Sequence, residues 1–192
     1  MPKQQVVVVR HGETEWSKDG RHTGKSDIPL TEHGRQEARR LGPELNGWQF
    51  KLVLVSPLQR AVETCRLAGY GDQAQLRPDL EEWDYGSYDG KTSEQIREQN
   101  PTWSLWDDGG PGGEKPADVG RRVDRVIAEV RRTDGDVLLV AHGHVLRVLA
   151  ARWLGQPPGD GRHYALQTAA LGILGDERET PVIDRWNQPP PG

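Results

Sequence analysis

Residues 6–9 are four valines in succession, and they stop at Arg10-His11-Gly12-Glu13-Thr14. A β-branched run with no polar alternation reads as a strand buried on both faces, so helices must cover both sides of its sheet. The run delivers an arginine and a histidine to the carboxyl end of a core strand, with Gly12 letting the backbone turn. In open α/β sheets ligands collect at that end of the strands. His11 is therefore a candidate nucleophile, and Arg10 a candidate holder of the anion it attacks.

Two further apolar runs repeat the pattern. Leu52–Val55 ends in Ser56-Pro57, read as an N-cap with proline in the first helical turn, and Arg60 follows one turn on. Val137–Ala141 ends in His142-Gly143, followed by a helix from about 144 to 153. Helices are also expected after Thr31, ending at Gly47, over 92–99, and from Pro116, where Val119, Val123, Val126, Ile127 and Val130 follow helical spacing. Strands alternating with helices mean parallel βαβ units. A short edge strand is expected around residues 74–76. Segments 169–174 and 181–186 read as two terminal strands forming an antiparallel edge. Residues 12–30 form a long polar loop, of the kind that is often functional. Residues 1–188 are expected to form one domain and 189–192 a disordered tail.

Composition narrows the partners. Net charge is −4, which argues against nucleic acid or an anionic membrane as the main partner. No segment approaches the roughly 18 apolar residues that span a bilayer. Cys65 is the single cysteine, placed among apolar helical neighbours; no intrachain disulfide is available, and a cytoplasmic protein is expected. The pairs Arg39-Arg40, Arg121-Arg122 and Arg131-Arg132 read as solvated helix faces.

Three strand ends thus converge Arg10, His11, Arg60 and His142. Such a cationic cleft wants an anion, and guanidinium forks suit phosphate. Helix starts after Ser56 and Gly143 would add amide N–H groups for the same anion. A neutral imidazole can displace a leaving group from phosphorus, giving a phosphohistidine. The leaving alkoxide needs a proton, for which Glu81, Glu82 and Asp84 are candidates; a carboxyl beside Trp83 and Tyr85 would be partly desolvated. His22, His33 and His163 read as surface residues. His142-Gly143-His144 also has the His-x-His spacing of metal-dependent hydrolases, but further ligands at other strand ends are wanting.

These residues together resemble the histidine phosphatase superfamily, branch 1, also called phosphoglycerate mutase-like. Arg10-His11-Gly12-Glu13-Thr14 resembles its signature. Thr23-Gly24 with Asp27, Pro29, Leu30 and Thr31, then Ser56-Pro57-Leu58-Gln59-Arg60-Ala61 with Thr64, resemble the next two segments. Glu82 with Gly86 and Gly90, and Ala141-His142-Gly143 with Arg147, resemble the last two. The resemblance implies a three-layer α/β/α sandwich with a mostly parallel sheet. It implies His11 as phosphate acceptor, Glu82 as proton donor and acceptor, and Arg10, Arg60 and His142 as the phosphate pocket. It adds contacts from Ser17, Thr23, Gly24, Tyr85 and the Gly143 amide; Trp83, beside the acid, and His144, at a helix start facing the same edge, join them as substrate contacts. No metal or other cofactor is implied. After the acid the mutases carry an arginine where this chain has Trp83, and the chain is shorter than theirs. That favours a phosphatase of the subgroup that includes sugar-bisphosphate and acid phosphatases. The alternatives are a cofactor-dependent phosphoglycerate mutase and a non-catalytic phosphate-binding module. The expected partner is a small phosphorylated substrate, and the expected state a monomer or homodimer. Arg21, Lys25, Lys91, Arg162 and His163 are the cations available for a second phosphate.

Overall fold

The computed structural model describes residues 4–191. One sheet organises it, in the order β3-β2-β4-β1-β5-β6. The central strands are the apolar runs: β1 (Val6–Arg10), β2 (Leu52–Val55) and β4 (Val137–Ala141), with β3 (Ala74–Leu76) at one edge. These four are parallel. β5 (Leu171–Glu177) and β6 (Thr180–Gln188) are antiparallel and close the other edge. The structure is therefore the α/β sandwich expected, and the terminal strands stand where the sequence placed them.

Alternation along the buried strands feeds two cores. Val7, Val9, Val53, Val55, Leu138 and Val140 meet Leu41 and Leu45 of α2 (Glu32–Leu45) and Ala61 and Cys65 of α3 (Gln59–Leu67). Val6, Val8, Leu54 and Leu139 meet α6 (Pro116–Arg131) and α7 (Gly143–Trp153) on the opposite face, and the short helices α1 (Glu15–Lys18), α4 (Ser93–Gln99) and α5 (Leu105–Asp108) lie in the connections. Burial raises the Cys65 thiol to about 12, as suits an inert core residue. Residues 189–191 have no regular structure, and Gly192 lies outside the described residues. Among the described residues no helix is long and apolar enough to cross a membrane.

Two local expectations need correction. Ser56 does not cap α3: that helix begins at Gln59 with Leu58 as its cap residue, and the Gln59 amide donates to Asp27. The α3 N-terminus is thus occupied by a carboxylate of the 12–30 loop. Nor is Arg122 solvated; it is 8% exposed, because it faces the carbonyls of residues 79–82 and the Glu114 carboxylate rather than water.

The loop after β1 is pinned by backbone contact. A Cβ on Gly12 would stand 2.3 Å from the Gly34 carbonyl oxygen, and one on Gly34 would stand 2.1 Å from that of Glu13. Gly34 sits in α2, where alanine would ordinarily stabilise by about 1 kcal/mol. Gly34→Ala is expected to do the reverse here, lowering stability by roughly 1–3 kcal/mol through overpacking. Urea unfolding measures the sign.

Candidate active site

His11 ends the β1 ladder, with its amide bonded to the Ala141 carbonyl. The ring is 4% exposed, and its Nδ1 lies 2.7 Å from the carbonyl oxygen of Gly12. A carbonyl only accepts, so Nδ1 carries the proton and Nε2 keeps the lone pair. Burial, then the charges of Arg60 and Arg10, hold the imidazole well below its usual range. His11 is accordingly neutral at physiological pH. The Arg10 guanidinium donates from Nη1 to the Leu166 carbonyl, and its buried Nε has no hydrogen-bond partner. It lies against Gly143, where a Cβ would approach Nε to 3.3 Å.

Arg60 and His142 stand behind His11. Both were expected in the phosphate pocket; both are fully buried and neither is among the residues that line the cavity. Arg60 donates from Nε to His142 Nδ1 at 3.1 Å, and from its terminal nitrogens to the carbonyls of Thr23, Gly24 and Ser26. His142 then carries its proton on Nε2, which donates to Ser56 Oγ at 2.6 Å. The two rings meet edge-on with centroids 5.1 Å apart. Burial, then Arg60, keep His142 neutral as well. The pair of histidines therefore holds opposite tautomers.

Glu82 faces this group from the other face of the sheet. Its Oε1 accepts from the amides of Trp83 and Val145, and its Oε2 from the amide of His144. The carboxylate thus takes two of the first amides of α7, which the sequence reading had reserved for the bound anion; at that end Gly143 borders the cavity. The Tyr85 hydroxyl lies 2.6 Å from His144 Nδ1. Burial raises the phenol well above its usual range and lowers His144 well below its own, so the neutral phenol donates to the neutral imidazole.

The cavity these groups enclose has a volume of about 190 Å³, below the usual range for drug-sized ligands and suited to a small ester. Arg10, His11, Ser17, Thr23, Glu82, Tyr85, Gly143 and His144 border it. Trp83 does not: it is fully buried, and its Nε1 donates to the Glu114 carbonyl, so the indole packs in the core. Gly24 does not either. Its amide is held by Asp89 and its carbonyl by Arg60, and a Cβ would stand 2.7 Å from the Trp83 carbonyl oxygen.

Sequence reasoning missed His22, gave Arg147 no role beyond its place in the last family segment, and left Arg21 unplaced; all three border the cavity. His22 is no surface residue. Its ring packs against Tyr85, Trp103 and His144, and burial lowers it to about 4. Arg147 lies one turn beyond Gly143 on α7, over the Trp106 ring; that spacing was the available signal. The other basic candidates point elsewhere: Lys25 pairs with Asp84, Lys91 lies over Tyr88, Arg162 pairs with Asp107, and His163 is exposed. The two rings of His142-Gly143-His144 serve different partners, Arg60 and Ser56 for one and Tyr85 for the other. Among the described residues no group of three or more His, Cys, Asp or Glu side chains is placed to hold a metal ion.

The sequence profile of the histidine phosphatase superfamily (branch 1) matches residues 6–189. The chain belongs to this family. An acid phosphatase of Mycobacterium tuberculosis is 39% identical over 97% of this chain and 95% of its own. A sedoheptulose 1,7-bisphosphatase of Saccharomyces cerevisiae is 34% identical over 78% of this chain and 67% of its own. Among solved structures, a mycobacterial glucosyl-3-phosphoglycerate phosphatase with VO3 superposes with a TM-score of 0.86 at 28% identity, covering 96% of this chain and 99% of the other.

The neutral histidines make stability depend on pH. A group whose folded value lies below its unfolded one binds fewer protons folded, so stability is lost as pH falls through the unfolded value. For His22 the window runs from 6.5 down to about 4. The difference in unfolding free energy between the wild type and His22→Gln is expected to shrink in that window with a slope approaching ~1.4 kcal/mol per pH unit. Denaturant titrations across the range check it.

Proposed function

We propose that the protein is a phosphomonoesterase acting on small phosphate esters, sugar phosphates or bisphosphates among them, through a phosphohistidine on His11. The observation that carries this reading is the neutral His11 ring, with Nδ1–H held by the Gly12 carbonyl and Nε2 free, in one cavity with Arg10 and Glu82. Nε2 attacks phosphorus in line, and the P–N bond forms as the ester P–O bond breaks. The leaving alkoxide takes a proton from the Glu82 carboxyl. Water then attacks the phosphohistidine and gives its proton to Glu82. The P–N bond breaks, and phosphate leaves a neutral His11. Arg10, with its unpartnered Nε, supplies the charge that holds the phosphoryl oxygens.

A phosphatase is favoured over a phosphoglycerate mutase by Trp83. At the position where the mutases carry an arginine, this chain buries an indole, so no cation reaches the substrate there. Arg21 and Arg147 at the cavity wall supply the charge that a second anionic group on the substrate would need. The proposed compartment is the cytoplasm, in keeping with a single, buried thiol.

Brief mixing with a phosphate ester is expected to leave an acid-labile, base-stable phosphoenzyme. His11→Ala should abolish both the label and turnover; undiminished turnover would refute the covalent route. Glu82→Gln should lower kcat/KM for alkyl phosphates by roughly 10²–10⁴-fold.

A further inference from the structure

We propose that Arg122 is a positioning residue for the acid, acting with Glu114 to fix the backbone from which Glu82 reaches into the cavity. The inference rests on the reading of Glu82 as proton donor.

The chain around Glu82 has no ladder of its own. It runs from a turn at Pro78–Leu80 to another at Gly86–Tyr88 without entering the sheet. Carbonyls in such a segment need partners from elsewhere. Arg122 supplies them. Its Nη1 donates to the carbonyls of Asp79 and Glu81 at 2.8 and 2.7 Å, and its Nη2 to that of Glu82 at 3.2 Å. Nε and Nη2 grip the Glu114 carboxylate at 2.7 and 2.9 Å. That is five contacts from a group with five N–H donors, so the guanidinium is saturated.

Glu114 completes the clasp on the far side. Its Oε2 accepts from the Asp84 amide at 2.9 Å, and its own amide donates to the Asp84 carbonyl at 2.8 Å. Its carbonyl holds the Trp83 indole. Residues 82–84 are thus tied to α6 through one partly buried ion pair, while the Glu82 carboxylate is tied to α7. Arg122 does not border the substrate cavity, so it touches the chemistry only through Glu82. Of its neighbours on α6, Arg121 pairs with Asp118 in solvent, and the largely exposed Arg125 reaches that segment only at the Asp79 carboxylate, three residues before Glu82.

A proton donor matters most when the leaving group is a poor one. The test is kcat/KM for Arg122→Lys across phosphate esters from dinitrophenyl to simple alkyl. Lysine keeps the charge but cannot reproduce the fork. Displacement of the acid by about 1 Å is expected to slow alkyl esters roughly ten- to a hundredfold and dinitrophenyl phosphate no more than about threefold. In a Glu82→Gln background the same substitution should add no more than about threefold, because the two act as a unit. Equal losses across the series, or full additivity with Glu82→Gln, would overturn the proposal and leave Arg122 a purely structural residue. If Glu82→Gln itself shows no dependence on leaving group, the reading of Glu82 as acid fails instead, and this inference with it. Should Arg122→Lys not fold, Glu114→Gln carries the same test. Its amide cannot accept all three of the hydrogen bonds that the carboxylate takes.

Discussion

Burying two guanidinium groups beside two imidazoles leaves the histidines one stable protonation state. Arginine does not give up its proton in proteins, so the cationic load behind β1 and β4 is set by Arg10 and Arg60. Each imidazolium added there would meet both charges and lose its hydration. His11 and His142 are therefore neutral, and the chemistry follows from which nitrogen of each keeps the proton. For His11 the Gly12 carbonyl decides it, leaving Nε2 nucleophilic. For His142 the Arg60 Nε–H decides the opposite tautomer, and the ring becomes a rigid backing for its neighbour.

The rest of the structure keeps this arrangement in place. Arg60 spends its donors on His142 and on three carbonyls of the loop over residues 23–26, so it orders that loop. Asp89 takes the amides of Gly24 and Ser26 in the same loop, and Asp27 closes the start of α3. Gly12 and Gly34 bring the backbone after β1 against α2. On the other face of the sheet, α7 holds the Glu82 carboxylate while Arg122 and Glu114 hold its backbone. The nucleophile thus ends a central strand, the acid is held beside it by α7, and the two meet at the sheet end.

Much of this is legible in the sequence. The valine and leucine runs are too apolar and too short for anything but buried strands, and glycine after each strand-end histidine marked His11 and His142. What the sequence could not show was direction. Arg60 follows its strand as a phosphate ligand would, yet it points at His142, because the long loop folds back over it and offers carbonyls. Trp83 adjoins the acid in sequence but turns into the core, since Glu114 provides a partner for its indole. Arg122 belongs to a pair of arginines that reads as a wet helix face; one of the two faces water and the other saturates itself on the acid segment. His22 lies in a loop without periodicity, so nothing local indicated that it would be packed between Tyr85, Trp103 and His144.

The chemistry rests on the protonation of two rings, which nitrogen-15 NMR of the histidine side chains observes directly. Spectra of the wild type between pH 5 and 8, assigned with single histidine substitutions, should show His11 neutral throughout with its proton on Nδ1. His142 should be neutral with its proton on Nε2. An imidazolium signal for His11 at pH 6, or a His11 proton on Nε2, would contradict it, since neither form offers the cavity a nucleophilic nitrogen.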